Sequence, residues 1–151
     1  MSDHPMHIVL PQAKALGFTV LSSGDSRAAV SLPYRDDLVG DPDTGVIAGG
    51  VVTTLLDHTC GAAVFAALSA PTSIATLDLR IDYMRPARPG LAVVAEAHCY
   101  KLGRSVAFVR ATAHDGDVDD PVATAQAVFM LDSNAGRPAG ANLVAPGGPV
   151  R

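Results

Sequence analysis

The feature that most constrains this chain is one long apolar stretch, Ile47 to Phe65, relieved mainly by Thr53, Thr54, Asp57, His58 and Thr59. It is too long for a strand, and Pro71 breaks the pattern soon after it, so it reads as a single buried helix. A helix this apolar needs cover on most of its surface, and the sequence offers no second long helix to provide it. The cover must be a sheet.

The rest of the chain reads as the strands of that sheet. Leu77 to Tyr83 alternates strictly, with Leu77, Leu79, Ile81 and Tyr83 on one face, as a half-buried strand does. Further strands are expected near Leu91 to Lys101, Ser105 to His114 and Val122 to Leu131, with reversals at Leu102-Gly103 and Asp115-Gly116. Ahead of the long helix, Pro11 to Leu16 forms a short helix closed by Gly17. Phe18 to Ser22 and Arg27 to Leu32 then form a hairpin around Gly24-Asp25. The loop Asp36 to Gly45, directly before the helix, could shape the mouth of a site. Short connections make the sheet antiparallel, so the fold expected is α+β, one antiparallel sheet wrapped around one central helix.

A chain of 151 residues with 48% hydrophobic content suits one domain, over 1–133. Residues 134–151, rich in Gly, Ala and Pro, read as a loosely held tail. Eleven Lys and Arg against fifteen Asp and Glu leave a formal charge of -4 with no basic run, which argues against nucleic acid as a partner. The polar breaks in the helix argue against a membrane span, and Met1 to Leu10 lacks the layout of a signal peptide. Cys60 and Cys99 stand apart without ligand spacing, so no metal and no disulfide are expected, and a cytoplasmic location fits.

The chemistry concentrates at the start of the helix. Gly49 and Gly50 open it, and the first N–H groups of a helix lack intrahelical partners, so they can hold a developing oxyanion. Asp57 is a lone carboxylate further along, of the kind that serves as base or nucleophile. Donors plus carboxylate suggest acyl transfer; a tight turn and a solvated Asp are the alternative reading. His58 points about 100° away from Asp57 on the helix and is a poor partner for it. Cys60 reads as core packing, and His98 and His114 as ordinary strand residues.

From Val39 to Leu131 the chain resembles the hotdog-fold acyl-CoA thioesterases, in their phenylacetate-pathway (PaaI-like) branch. Gly45, Gly49, Gly50 and Asp57 fall in register with that family's loop, His-Gly-Gly and helix Asp. Leu79 to Ala87 is similar to its strand ending in Arg-Pro-Ala, and Gly103 to Phe108 to its Gly-Arg turn. Two departures stand out, since Ala48 occupies the usual His position and Pro42, with Asp41 beside it, the position of the loop Asn.

The resemblance implies hydrolysis of an acyl-CoA to a carboxylic acid and free CoA, with no metal or separate cofactor. It implies Asp57 as general base or nucleophile and the Gly49 amide, with Gly50 beside it, as the group that polarises the carbonyl. Thr76 falls where relatives keep a hydroxyl near the catalytic water, and Arg85 and Arg104 where cations could meet the CoA phosphates. The acyl group depends on how Val51, Thr54, Phe65 and Tyr83 pack. A homodimer, often paired into a dimer of dimers, is implied as well. Helix geometry agrees, because the eight residues from Gly49 to Asp57 span about 12 Å, too far for both groups to serve one carbonyl from one straight helix. The rival readings are a non-catalytic acyl-CoA or acyl-ligand binding protein on the same fold, and a dehydratase, which would need the missing His.

Overall fold

The computed structural model describes residues 10–70 and 72–132; the tail expected at 134–151 lies outside them. A short helix α1 (Pro11–Leu16) ends at Gly17, whose φ of +77° is the left-handed stop expected there. The hairpin β1 (Thr19–Gly24) and β2 (Arg27–Leu32) comes next. Its turn is one residue later than the sequence suggested, because Asp25 and Ser26, not Gly24 and Asp25, take φ of +52° and +62°. Two successive residues in that region make a twist-matched two-residue hairpin, and Gly24 pairs with Arg27 to close it.

Asp36–Leu38 forms one 3-10 turn, after which β3 (Val39–Asp41) and β4 (Val46–Ile47) make a two-stranded hairpin of their own. Helix α2 (Gly49–Ala67) then leads into β5 (Ser73–Tyr83), β6 (Val93–Leu102), β7 (Val106–His114) and β8 (Ala123–Asp132). The main sheet has six antiparallel strands in the order β1-β2-β6-β7-β8-β5, so β1 and β5 are its edges.

The expected wrapping of the sheet around the helix is what the structure has. Its concave face is lined largely by small side chains, among them Ala95, Ala97, Ala107, Ala111, Ala113, Ala123, Ala125 and Ala127, which let α2 lie close. Leu55, Leu56 and Val64 of α2 are wholly buried against it, each contributing about 1.5–3 kcal/mol by leaving water. Although α2 has the length and mean hydropathy of a membrane span, the sheet takes up its apolar face.

Strand β5 departs from the strict alternation expected of it. Leu77 does not share the buried face with Leu79 and Ile81, because β5 carries a bulge there: Thr76 pairs with Phe129 and Asp78 with Val128, leaving Leu77 unpaired and 56% exposed. A bulge inserts one residue and resets the alternation. Thr76 and Tyr83 are seven positions apart, an odd number that would put them on opposite faces of a regular strand, yet both reach α2.

Candidate active site

The N-terminus of α2 is uncapped. Ala48 holds the N-cap position with an extended backbone (φ −58°, ψ 133°) and makes no side-chain cap bond, where a Ser, Thr or Asp would take one of the first amides. The Val51 amide donates back to the Ala48 carbonyl at 3.0 Å. The Gly49 and Gly50 amides make no hydrogen bond among the described residues, and both residues are exposed. Two N–H donors therefore open onto solvent at the positive end of a long helix, as the oxyanion reading requires.

Two neighbours shape this end. The turn before β4 is fixed by Asp41, whose carboxylate accepts from the Asp43 amide at 3.1 Å and the Thr44 hydroxyl at 2.8 Å, lowering its pKa. Gly45 follows with φ +77°, which a side chain would strain, and its carbonyl accepts from the Tyr34 hydroxyl at 2.8 Å. A cleft of about 340 Å³ runs from here along the helix start, lined by Val46, Ile47, Gly49, Val52, Tyr83 and Met84. Of the residues expected to set pocket width, Tyr83 lines this cleft; Val51, Thr54 and Phe65 do not.

Two turns further along α2, Asp57 is half-buried, and its Oδ1 accepts a hydrogen bond from the Thr76 hydroxyl at 2.8 Å. The bulge in β5 brings Thr76 to this place. One carboxylate oxygen is thus fixed, and the other has no hydrogen-bond partner among the described residues. His58, as expected, turns elsewhere: its ring packs against Phe18, tilted by 51° with centroids 5.3 Å apart, and burial lowers its pKa against the pull of Asp57. Cys60 is wholly buried, and burial pushes its thiol up to about 12, so it carries no nucleophilic thiolate near neutral pH.

The two arginines expected to hold phosphate are in different situations. Arg85 has its five N–H donors taken up within the chain, by Asp115 at 2.7 and 2.8 Å, the Asp120 carbonyl at 2.7 and 3.3 Å, and the Pro86 carbonyl at 3.1 Å. The Asp115 side chain is fully buried and also accepts from the Arg88 amide at 2.8 Å, and the Arg85 guanidinium holds its carboxyl well below the usual carboxylate range. Asp115 was readable only as a turn residue, since nothing local signals a partner thirty positions away. This clamp ties the β5–β6 loop to the β7–β8 turn. Arg104, by contrast, is exposed in the β6–β7 turn and has no hydrogen bond or ion pair among the described residues. It lies at the end of the sheet where β7 and β8 pair near Val106 and Met130, level with the Thr76 half of β5.

Helix and strand thus hold two separate groups of candidate site residues. Gly49 and Gly50 sit at one end beside Tyr83, and Asp57 and Thr76 at the other, about 12 Å away along the axis. Among the described residues, no cluster of His, Cys, Asp or Glu could hold a metal ion.

The sequence profile of the thioesterase superfamily matches residues 44–122, which span the helix start, Asp57, Thr76 and the β5–β6 loop. The chain is 36% identical over 94 residues, 60% of its length, to a candidate esterase of Halobacterium salinarum, and spans 61% of that protein's length. It is 27% identical over 135 residues to the medium/long-chain acyl-CoA thioesterase YigI of Salmonella typhimurium, covering 81% of this chain and 86% of that one. Among solved structures, a mutant of the phenylacetic acid degradation protein PaaI from Thermus thermophilus superposes with a TM-score of 0.69 at 29% identity, over 80% of this chain and 98% of that one.

Proposed function

Because the chain belongs to the thioesterase superfamily, we propose that it hydrolyses an acyl-CoA thioester to a carboxylic acid and free coenzyme A. The observation that carries this reading is the pairing on one helix of two uncapped amides with a carboxylate fixed by a hydroxyl. The similarity to YigI supports coenzyme A as the thiol.

In this mechanism the Gly49 amide, with Gly50 beside it, accepts the negative charge that builds on the thioester oxygen. Asp57 takes a proton from water as the hydroxide adds to the carbonyl carbon, or adds to that carbon itself and is freed by water in a second step. Collapse of the tetrahedral species breaks the C–S bond, and the CoA sulfur leaves and is protonated. A positioned oxyanion donor contributes about 10²–10³ in rate, and a positioned base roughly 10²–10⁴. Thr76 holds Asp57 in orientation.

One site is assembled from two chains. The edge strand β5 supports this: it is eleven residues long, lies at the open side of the sheet, and exposes Leu77 and Tyr83, with Met84 exposed just after it, the kind of edge that proteins cover. A two-fold axis across antiparallel β5 edges brings Gly49 of one protomer toward Asp57 of its partner, making two identical sites. Arg104 then stands at the mouth as the cation for the CoA phosphates.

Ala48 favours a second reading, an acyl-CoA binding protein without turnover, because it brings no polar side chain to the carbonyl. A panel of aryl, short, medium and long acyl-CoA esters separates the two. Turnover of at least one ester, with kcat reduced about 10²-fold or more in Asp57→Asn while binding survives, supports hydrolysis. Binding without turnover of any ester overturns it.

A further inference from the structure

Tyr83 ends β5 beside the first turn of α2, and its hydroxyl lies within hydrogen-bonding distance, 3.1 Å, of the Gly49 carbonyl oxygen. The Thr53 hydroxyl lies 3.1 Å from the same oxygen and is hydrogen-bonded to the Tyr83 hydroxyl, so two protons serve these three contacts. The helix ladder already assigns this carbonyl to the Thr53 amide, so the hydroxyl pair adds to an acceptor in use. Whether Tyr83 donates to Thr53 and Thr53 to Gly49, or the reverse, at least one hydroxyl proton reaches the Gly49 oxygen.

The consequence appears on the other side of the same peptide bond. The Gly49 carbonyl and the Gly50 N–H belong to one planar amide, so hydrogen bonds at the oxygen draw electron density from the nitrogen and strengthen the N–H as a donor, by about 10–30% per bond. They also fix the plane's orientation between two glycines, the residues with the greatest backbone freedom. Gly50 N–H is one of the two amides left open at the helix end.

We propose that Tyr83 and Thr53 are positioning residues that orient and polarise the Gly49–Gly50 peptide, making Gly50 N–H a stronger oxyanion donor than an ordinary helix-end amide. This rests on the reading of the α2 N-terminus as the oxyanion site. The alternation of β5 puts Tyr83 on the face of Leu79 and Ile81 but gives no sign that its hydroxyl ends at the Gly49 carbonyl.

The test uses Tyr83→Phe, which keeps the ring and removes the hydroxyl, and Thr53→Val, which keeps the branched shape. In glycine-labelled protein, the Gly50 amide proton signal moves upfield in each variant while those of Gly61 and Gly103 stay in place. With the ester that the wild type turns over best, kcat falls about 3- to 10-fold and KM stays within about twofold, a fraction of the loss from deleting a donor outright. A purely structural staple would leave Gly50 and kcat unmoved in correctly folded variants. An unmoved Gly50 signal in both variants overturns the proposal, and so does a moved signal with unchanged kcat. The resonance does not depend on turnover, so a wild type inert to every thioester would refute hydrolysis while Gly50 still reports on the polarised peptide.

Discussion

If each site takes its amides from one chain and its carboxylate from the other, two inactive variants should rescue one another. Asp57→Asn removes the base, and Gly49→Pro removes an open N–H at little cost to the fold. Proline is well tolerated at the first helical position, Ala48 before it already has the extended ψ of 133° that a following proline requires, and the nearest atom to a Cβ at Gly49 is Tyr83 Cε1 at 3.9 Å. Each variant alone keeps about 1% of activity or less. In a mixed dimer, one site has both defects and the other has neither. Random exchange of equal amounts makes about half the dimers mixed, so the mixture recovers roughly one quarter of wild-type activity, and mixed dimers isolated through two different tags recover about one half. Steady-state hydrolysis of the best ester is the assay. Isolated mixed dimers no more active than their parents would refute the shared site, and with it the inference from the 12 Å separation.

Three further substitutions test particular residues. Arg104→Ala should raise KM for a CoA ester and scarcely affect a short thioester lacking the nucleotide, and equal losses on both would remove Arg104 from phosphate binding. Asp115→Asn should lower Tm at pH 7 by about 6–12 °C, because it leaves the Arg85 guanidinium without its buried counter-charge. Since the folded pKa of Asp115 is depressed, its stabilisation is present above the unfolded value of about 4 and fades as pH falls toward the folded one, so the gap between wild type and variant should narrow below about pH 4. A gap that stays constant from pH 7 to pH 3 would contradict that sign. Ala48→His should raise kcat/KM on at least one thioester, whereas losses on every ester would mean that the site is built around Ala48.

The architecture was legible because one periodic signal, the apolar run through α2, leaves a single way to bury it, and the alternating strands provide that cover. The placement of Gly49 and Gly50 at the helix start, with Asp57 two turns on, was legible for a related reason, since helix position fixes where an amide or carboxylate points. What stayed hidden depends on pairing across the sheet. The bulge at Leu77 arises from the register of β5 against β8, and the local sequence alternates straight through it. The carboxyl that occupies Arg85 comes from a turn far along the chain, so a cation at a strand end looked available when its donors were already used. The bond from Tyr83 to Gly49 was out of reach for the same reason: an aromatic at a strand end reads as packing until the helix beside it is in place.

The bulge also gives β5 slack in length. Both groups of candidate site residues hang from this one strand, so a change in residue number between Thr76 and Tyr83 would ordinarily turn one of them away from the helix. Removing Leu77 leaves an even spacing and a regular strand, with Thr76, Leu79, Ile81 and Tyr83 still facing inward. A relative one residue shorter here can therefore keep the same two contacts without the kink, whereas one residue more would need a second irregularity to restore them. Along this strand a gap opposite Leu77 is silent, and an insertion is not.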